Sequence, residues 1–411
     1  MTQLPSDADL VAVYEDLHAH PELAFQEHRT AAVVAEHLLA FGYDVHTGIG
    51  GTGVLGLLER GPGPTVLLRA DMDGLPVREQ TGLGYASTQW ASDHQGREVP
   101  VMHACGHDVH VTCLIGAAAQ LSVEDGFRGR LMVVFQPAEE LGVGARAMVE
   151  DGLYDRFGTP DVVLGQHVAP LPTGVIGMHA GVAMAASDTL AITLHGRGGH
   201  GSRPETTVDP IVMAAATVLR LQTVVSRETA GTDAAVVTVG TLHAGAAANV
   251  IPETAELTVN VRTFDGAVRD QVLAAVTRIV HAEAQASAAP RAPEIEHADH
   301  FPSLTNDEEA LERVRRAFTA NLPVVVIDPG LVTGSEDVGV FAEAAGVPCV
   351  FWLLGGADPQ AFAGLTSEAE LRAMVGTLPS NHSPYFAPVA MPTLRLGVDA
   401  LVTGARTWEA R

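Results

Sequence analysis

Lysine is missing from the sequence altogether, so all 24 basic residues are arginine. That absence excludes a pyridoxal Schiff base, a Walker A phosphate loop and a Ser-Lys nucleophile, each of which needs a side-chain amine. Basic charge is also scarce, because 49 acids leave a formal net charge of -25. A surface of that sign repels phosphate backbones and anionic lipid, and no basic patch offsets it, so neither a nucleic-acid nor a membrane partner is expected. Cysteine occurs only at Cys105, Cys113 and Cys349, too few and odd in number for a disulfide framework, which fits a reducing compartment. No run approaches the roughly 18 apolar residues of a membrane span. Residues 1–7 lack a basic region leading into an apolar core, and the expected location is the cytoplasm.

What is present suits a folded, enzyme-sized chain. At 411 residues with 47% hydrophobic content, it exceeds what one core usually holds, and roughly two to three domains are expected. Ser6 or Asp7 caps a first helix with Leu10, Val13, Tyr14 and Leu17 at helical spacing, and a second helix runs from about Glu27 to Gly42. Residues 65–69, 131–135, 162–165 and 347–353 are short apolar runs that read as buried strands, alternating with helical stretches such as 108–121. That alternation predicts a mostly parallel sheet covered on both faces. Three of the runs end in ionisable clusters, Asp71 and Asp73, Glu139 and Glu140, and His167, which is where the ligand crevice of an open α/β sheet lies.

Between 187 and 299 the order changes to strand, helix, strand, strand, helix, strand, with predicted elements at 189–195, 209–227, 234–243, 254–263, 266–286 and 294–298. This is the order of a ferredoxin-like α+β unit. It reads as an insertion, because parallel-sheet character resumes at 322–327. The predicted organisation is an α/β domain formed by residues 1–186 and 300–411, with residues 187–299 inserted as a second domain.

The densest chemistry lies in Met102-His103-Ala104-Cys105-Gly106-His107-Asp108-Val109-His110. A thiolate and an imidazole separated by one glycine can face one ion, the glycine allowing the sharp turn; the same run also reads as a helix start capped by Asp108. Glu139 and Glu140 are a solvated loop or, in extended backbone, a pair whose carboxylates point to opposite sides, one to ligate and one to move a proton. His167 after its strand and His382 in a Pro-bounded loop are further candidate ligands. Other signals fail their context. Gly48-Ile49-Gly50-Gly51-Thr52-Gly53 matches the dinucleotide fingerprint, but the following Val54-Leu55-Gly56-Leu57-Leu58 reads as a strand, so the run is predicted to be a hairpin turn. No G-x-S-x-G elbow or H-E-x-x-H helix occurs.

Taken together, Leu17-His18-Ala19-His20-Pro21-Glu22-Leu23, Arg69 to Asp73, Met102 to His107, Gln136 to Glu140, Gly165 to Val168 and Asn381-His382-Ser383-Pro384 resemble the dinuclear-metal amidohydrolase family. That family includes hippurate hydrolase, bacterial N-acyl-amino-acid amidohydrolases and plant auxin-conjugate hydrolases. The resemblance implies Cys105, His107, Glu140, His167 and His382 as ligands of two divalent ions, zinc or manganese, with the Cys105 thiolate bridging them. It implies Glu139 as general base, and Asp71 and Asp73 as acids that orient the ligands. In Gly196-Arg197-Gly198-Gly199-His200-Gly201-Ser202 it implies a lid motif, with His200 stabilising the oxyanion in the site of a partner subunit and the inserted domain serving as lid and dimer contact. Asn249 and Arg262 match residues that hold the substrate carboxylate, and strand alternation sets Arg262 on the face of Asn260 and Thr258. Glu205 departs from the pattern, standing where many relatives carry histidine. The expected reaction is hydrolysis of an N-acyl-L-amino acid to a carboxylic acid and an amino acid. Competing readings are a catalytically silent binding protein for the same compounds, a dipeptidase-like hydrolase, and a nicotinamide dehydrogenase built on the Gly48 run.

Overall fold

The computed structural model describes residues 4–123, 127–365 and 367–409. It divides into two compact units, one formed by Met1–Ala183, Thr305–Gly330 and Asp337–Arg411, the other by Met184–Leu304 with Leu331–Glu336.

The first unit is built on an eight-stranded sheet. At its centre Arg130–Gln136, Thr65–Asp71, Val162–Pro172 and Cys349–Ala357 lie side by side in parallel. Their residues are almost all buried, as a sheet covered on both faces requires. The hairpin of Asp44–Ile49 and Gly53–Glu59 adds antiparallel strands beside Arg130–Gln136. The glycine run at Gly48 is thus a strand-to-strand turn, as predicted, and no helix follows it to receive a pyrophosphate. On the other flank only Val325–Ile327 of the predicted 322–327 run is strand, parallel to Val175–Gly177. Pro323 lacks the N–H a ladder needs, which shortens it.

Caps set the helices. Ser6 and Asp9 form a capping box at the start of Asp7–Ala19, and His28–Ala40 begins directly after Glu27. His107–Val123 is buried nearly all round, which explains why its sequence carries so little polar-apolar periodicity.

The second unit is a four-stranded antiparallel sheet, ordered Ala235–Ala244, Thr254–Thr263, Ala186–His195, Glu294–Phe301. Pro210–Thr223 and Gly266–Ala286 are its helices, completing the βαββαβ order. Leu190, Ile192, Leu194, Leu257, Val259 and Val261 pack with Met213, Leu221, Val276 and Val280 into one apolar cluster. The predicted 209–227 helix ends as α-helix at Thr223 and continues as a wider π turn, Val224–Glu228. The Thr223 and Ser226 hydroxyls bond back to the Arg220 and Gln222 carbonyls beside the β-branched Val224 and Val225, which loosens the last turns. Among the described residues no helix is long and apolar enough to cross a membrane.

Candidate metal centre

The carboxyl ends of the parallel strands of the first unit gather the ionisable side chains. Cys105 Sγ lies 3.4 Å from His167 Nε2, and His382 Nε2 lies 3.3 Å from Glu140 Oε2. His107 Nε2 is 3.8 Å from Glu140 Oε1 and 3.9 Å from Glu139 Oε2. Cys105, His107 and His167 form one group whose donor atoms lie within 4.8 Å of each other; Cys105, Glu140 and His382 form a second, and His107, Glu139 and Glu140 a third. The structure therefore brings all five expected ligands and Glu139 together.

Each arrives by a distinct local device. Gly106, at φ +85, makes the turn that separates Cys105 from His107, and a side chain there would strike Val168 Cγ1 at 2.4 Å. His167 lies within its strand, which runs on to Pro172, and its Nδ1–H donates to its neighbour's carbonyl, Val168 O, at 2.8 Å. That bond leaves Nε2 to face Cys105. His382 takes a left-handed backbone, φ +70, pinned by its own N–H on Ala104 O at 2.8 Å. The neighbouring Asn381 Nδ2 donates to Cys105 O at 3.0 Å and Val168 O at 3.1 Å, so one amide ties three ligand-bearing segments.

The expectation that Glu139 and Glu140 sit in extended backbone, with opposed carboxylates, is corrected. Ala138 is left-handed, φ +50, and Glu139–Leu141 is a 3-10 turn. The turn swings both carboxylates toward His107 instead. Asp73 braces it, its Oδ1 accepting Glu139 N–H at 3.1 Å and its Oδ2 accepting Glu140 N–H at 3.0 Å.

Beneath the cluster lies a buried ionic network that motif reading did not find. Arg69 Nη1 is 2.6 Å from Asp71 Oδ2 and Nη2 is 3.0 Å from Asp337 Oδ1, while Nε donates to Gln136 Oε1 at 2.8 Å. Asp71 Oδ1 lies 2.5 Å from His110 Nδ1, and His110 Nε2 accepts Val168 N–H at 2.8 Å. Both nitrogens of His110 are thus committed, and it orients neighbours rather than offering a lone pair. Its only sequence signal is its place one helical turn beyond His107.

The electrostatics test the donor set for a cation. Burial disfavours charge on His107, yet Asp71, Asp73 and Glu140 hold its proton up to about 10. Burial, then Glu140 and Glu139, push the Cys105 thiol well up, so its thiolate needs a positive charge beside it. Burial holds His167 well below the imidazole range, in the neutral form that ligates metals. His107 Nε2 and Glu140 Oε1 are buried without a hydrogen-bond partner. Surplus carboxylate, a thiol, neutral imidazole and orphaned donors at 3.3–3.9 Å spacings fit divalent cations, whose ligands lie about 2.0–2.3 Å from the ion and hence about this far from one another. His103 has both ring nitrogens buried without partners, and burial lowers it to about 4.

The remaining predicted residues belong to the second unit. Gly199–His200 pairs with Val250–Ile251, and Gly201 N–H donates to Asn249 O at 2.8 Å, so exposed His200 and Asn249 are neighbours. Arg262 shares a sheet face with Asn260, Nε to Oδ1 at 3.1 Å, and its Nη1 donates to Thr333 O at 2.7 Å. No partner of its Nη2 occurs among the described residues.

Comparison with known proteins agrees with this geometry. The model of "Peptidase family M20/M25/M40" matches residues 67–374. The chain is 37% identical over 343 residues, 82% of its length and 78% of the relative's, to the N-acetyl-L-cysteine deacetylase of Bacillus subtilis. It is 41% identical over 293 residues, 70% of this chain and 74% of the other, to the hippurate hydrolase of Campylobacter jejuni. Among solved structures, the YXEP protein of Bacillus subtilis, a dinuclear metal binding peptidase from the M20 family, superposes with a TM-score of 0.75 at 29% identity, covering 97% of each chain. The parallel sheet, the residues at its strand ends and these likenesses agree: the chain belongs to peptidase family M20/M25/M40.

Proposed function

We propose that this protein is a metal-dependent amidohydrolase that cleaves the amide bond of N-acyl-L-amino acids, releasing a carboxylic acid and a free amino acid. The observation that carries the reading is the convergence of Cys105, His107, Glu140, His167 and His382 with Glu139 beside them. Those five would hold two divalent ions, zinc or manganese. Such a pair of ions supplies Lewis acidity toward the amide carbonyl and a lowered pKa for water. Glu139, braced by Asp73 and almost buried, takes the proton of the attacking water and returns it to the departing amine nitrogen. Asp71 and Asp73 orient the ligands from behind, Asp73 Oδ1 lying 3.3 Å from His107 Nδ1.

His200 is assigned to the oxyanion of the tetrahedral intermediate. Its Nδ1 accepts the Ser202 N–H at 3.1 Å, which leaves the proton on Nε2, the tautomer that donates to an oxyanion. Arg262 and Asn249 hold the substrate carboxylate, Arg262 through its Nη2. The second unit acts as lid and dimer contact. Its edge strand Ala235–Ala244 and the exposed Val212, Leu219, Val236 and Leu242 support a homodimer, to be read by light scattering. Its expected place is the cytoplasm, and the free thiols of all three cysteines suit a reducing compartment.

The test is release of free amino acid from a panel of N-acetyl, N-benzoyl, indole-acetyl and longer N-acyl amino acids, by metal-stripped protein resupplied with manganese or zinc. Metal-dependent release is expected. Stoichiometric metal uptake with no release from any member would overturn the assignment and favour a binding protein.

A further inference from the structure

The turn that presents Glu139 and Glu140 is held by more than Asp73. Three successive backbone N–H groups, those of Ala138, Glu139 and Glu140, point to carboxylates. The last two meet Asp73, and the first donates to Glu27 Oε1 at 2.8 Å. A left-handed residue followed by a helical one turns consecutive N–H groups inward as an anion-binding nest. Here the nest is filled by the protein's own side chains. Because Ala138 lacks glycine's freedom, its backbone at φ +50 persists only where its surroundings over-determine it.

Glu27 is itself fixed. It is fully buried, its residue sits at the start of the His28–Ala40 helix, and its Oε2 accepts the Thr52 hydroxyl. Thr52 belongs to the glycine hairpin that resembles a dinucleotide fingerprint. The reason for those glycines is packing. A side chain at Gly50 would strike Met148 N at 2.5 Å, and one at Gly53 would meet the Met148 side chain at 2.8 Å. Met148 lies on Gly144–Glu150, the helix that follows the Glu139 turn, and Gly50 N–H donates to Asp151 Oδ2 just beyond it, at 3.0 Å.

We infer that Glu27, steered by Thr52 from the glycine hairpin, is a positioning residue that locks the left-handed turn carrying Glu139 and Glu140, and so sets metal affinity and proton transfer from a distance. The inference rests on the proposed function only for the roles of those two glutamates. Neither Glu27 nor Thr52 belongs to the candidate ligand groups; Glu27 reaches the turn through the Ala138 N–H.

The test measures three quantities for Glu27→Ala, Glu27→Gln and Thr52→Val: the thermal midpoint, the affinity for manganese or zinc by competition with a chromophoric chelator, and kcat and KM. Glu27→Ala is expected to weaken metal binding and lower kcat by about 10–100-fold with KM nearly unchanged, the range for outer partners of a metal site. Glu27→Gln keeps an oxygen for the Ala138 N–H and is expected to restore both to within about threefold, which a purely electrostatic role would not allow. Thr52→Val, equal in shape and lacking the hydroxyl, is expected to fall between. A folded Glu27→Ala with native metal affinity and native kcat would overturn the inference. If that variant fails to fold, Thr52→Val with native metal affinity overturns it instead. Metal affinity is read without substrate, so a wild-type protein that hydrolyses nothing in the panel defeats the proposed function and leaves this test standing.

Discussion

The two units place their polar residues in opposite ways. In the first, Arg69, Asp71, Asp73, His107, His110, Gln136 and Glu139 lie inside, at most a few per cent exposed, and bond chiefly to one another. In the second, the interior is an apolar cluster and the candidate residues His200 and Asn249 are exposed; of its buried carboxylates, Asp188 is taken up by Arg269 at 2.6 and 2.7 Å. A buried ionic network is stable only when complete, since each partner left alone bears its full desolvation penalty. Side chains on the outside of a finished apolar core carry no such debt. The first arrangement gives fixed geometry, and the second gives residues that can be exchanged without unfolding.

The sharpest use of that difference is to alter chemistry without disturbing the network. Glu139→Gln should lower kcat by about a thousandfold, the scale of a lost general base, with metal content unchanged by elemental analysis; undiminished turnover would remove Glu139 from its role. Arg69→Met breaks the network itself, leaving Asp71 and Asp337 buried without their cation. Denaturant titration should show a loss of about 3–5 kcal/mol, and a loss below about 1 kcal/mol would mean that the network is dispensable.

A buried triad in the same unit predicts pH dependence. His18 Nδ1 lies 2.6 Å from Asp108 and Nε2 3.0 Å from Glu79. Burial opposes its charge, but the bonds to Asp108 and Glu79 prevail and raise it to about 10 from an ordinary 6.5. A folded value above the unfolded one stabilises fully below pH 6.5, and the contribution is lost as pH rises through about 10, a change of a few kcal/mol. Wild-type stability should fall across that window more steeply than that of His18→Gln, and parallel curves would refute the triad's contribution. The smallest effect is expected in the second unit. Arg262→Leu should raise KM by about tenfold, the scale of one charge-assisted bond, while the thermal midpoint stays within a degree or two; a large drop in midpoint would show that this unit also depends on its polar residues.

Much of this was legible in the sequence because local signals and tertiary structure coincide. Asp265 caps Gly266–Ala286, and Thr254–Thr263 alternates buried and open positions throughout, so both elements lie where patterning puts them. The five candidate ligands stand in compact motifs, at a helix start for Cys105 and His107, after a strand for Glu140, within a strand for His167 and in a loop for His382. The Glu139 turn was not legible, because neither Pro137 nor Ala138 signals a left-handed residue, and the carboxylates of Glu27 and Asp73 that brace it are distant in the chain. Arg69 reads as an ordinary polar residue near a strand end until Asp337, 268 positions away, closes on it.

The strand order also governs biosynthesis. Val162–Pro172 gains its neighbour Cys349–Ala357 only after the whole of the second unit has been translated. At about 5–20 residues per second, a ribosome leaves that hydrophobic edge unpaired for roughly ten to forty seconds. The four strands of the second unit, by contrast, lie within one stretch of chain, 186–301, and are all made before that neighbour. The first and last of these four pair antiparallel, Ser187 beside Phe301, so once formed they hold the two flanking chain segments side by side and shorten the loop that must close to join the interrupted sheet.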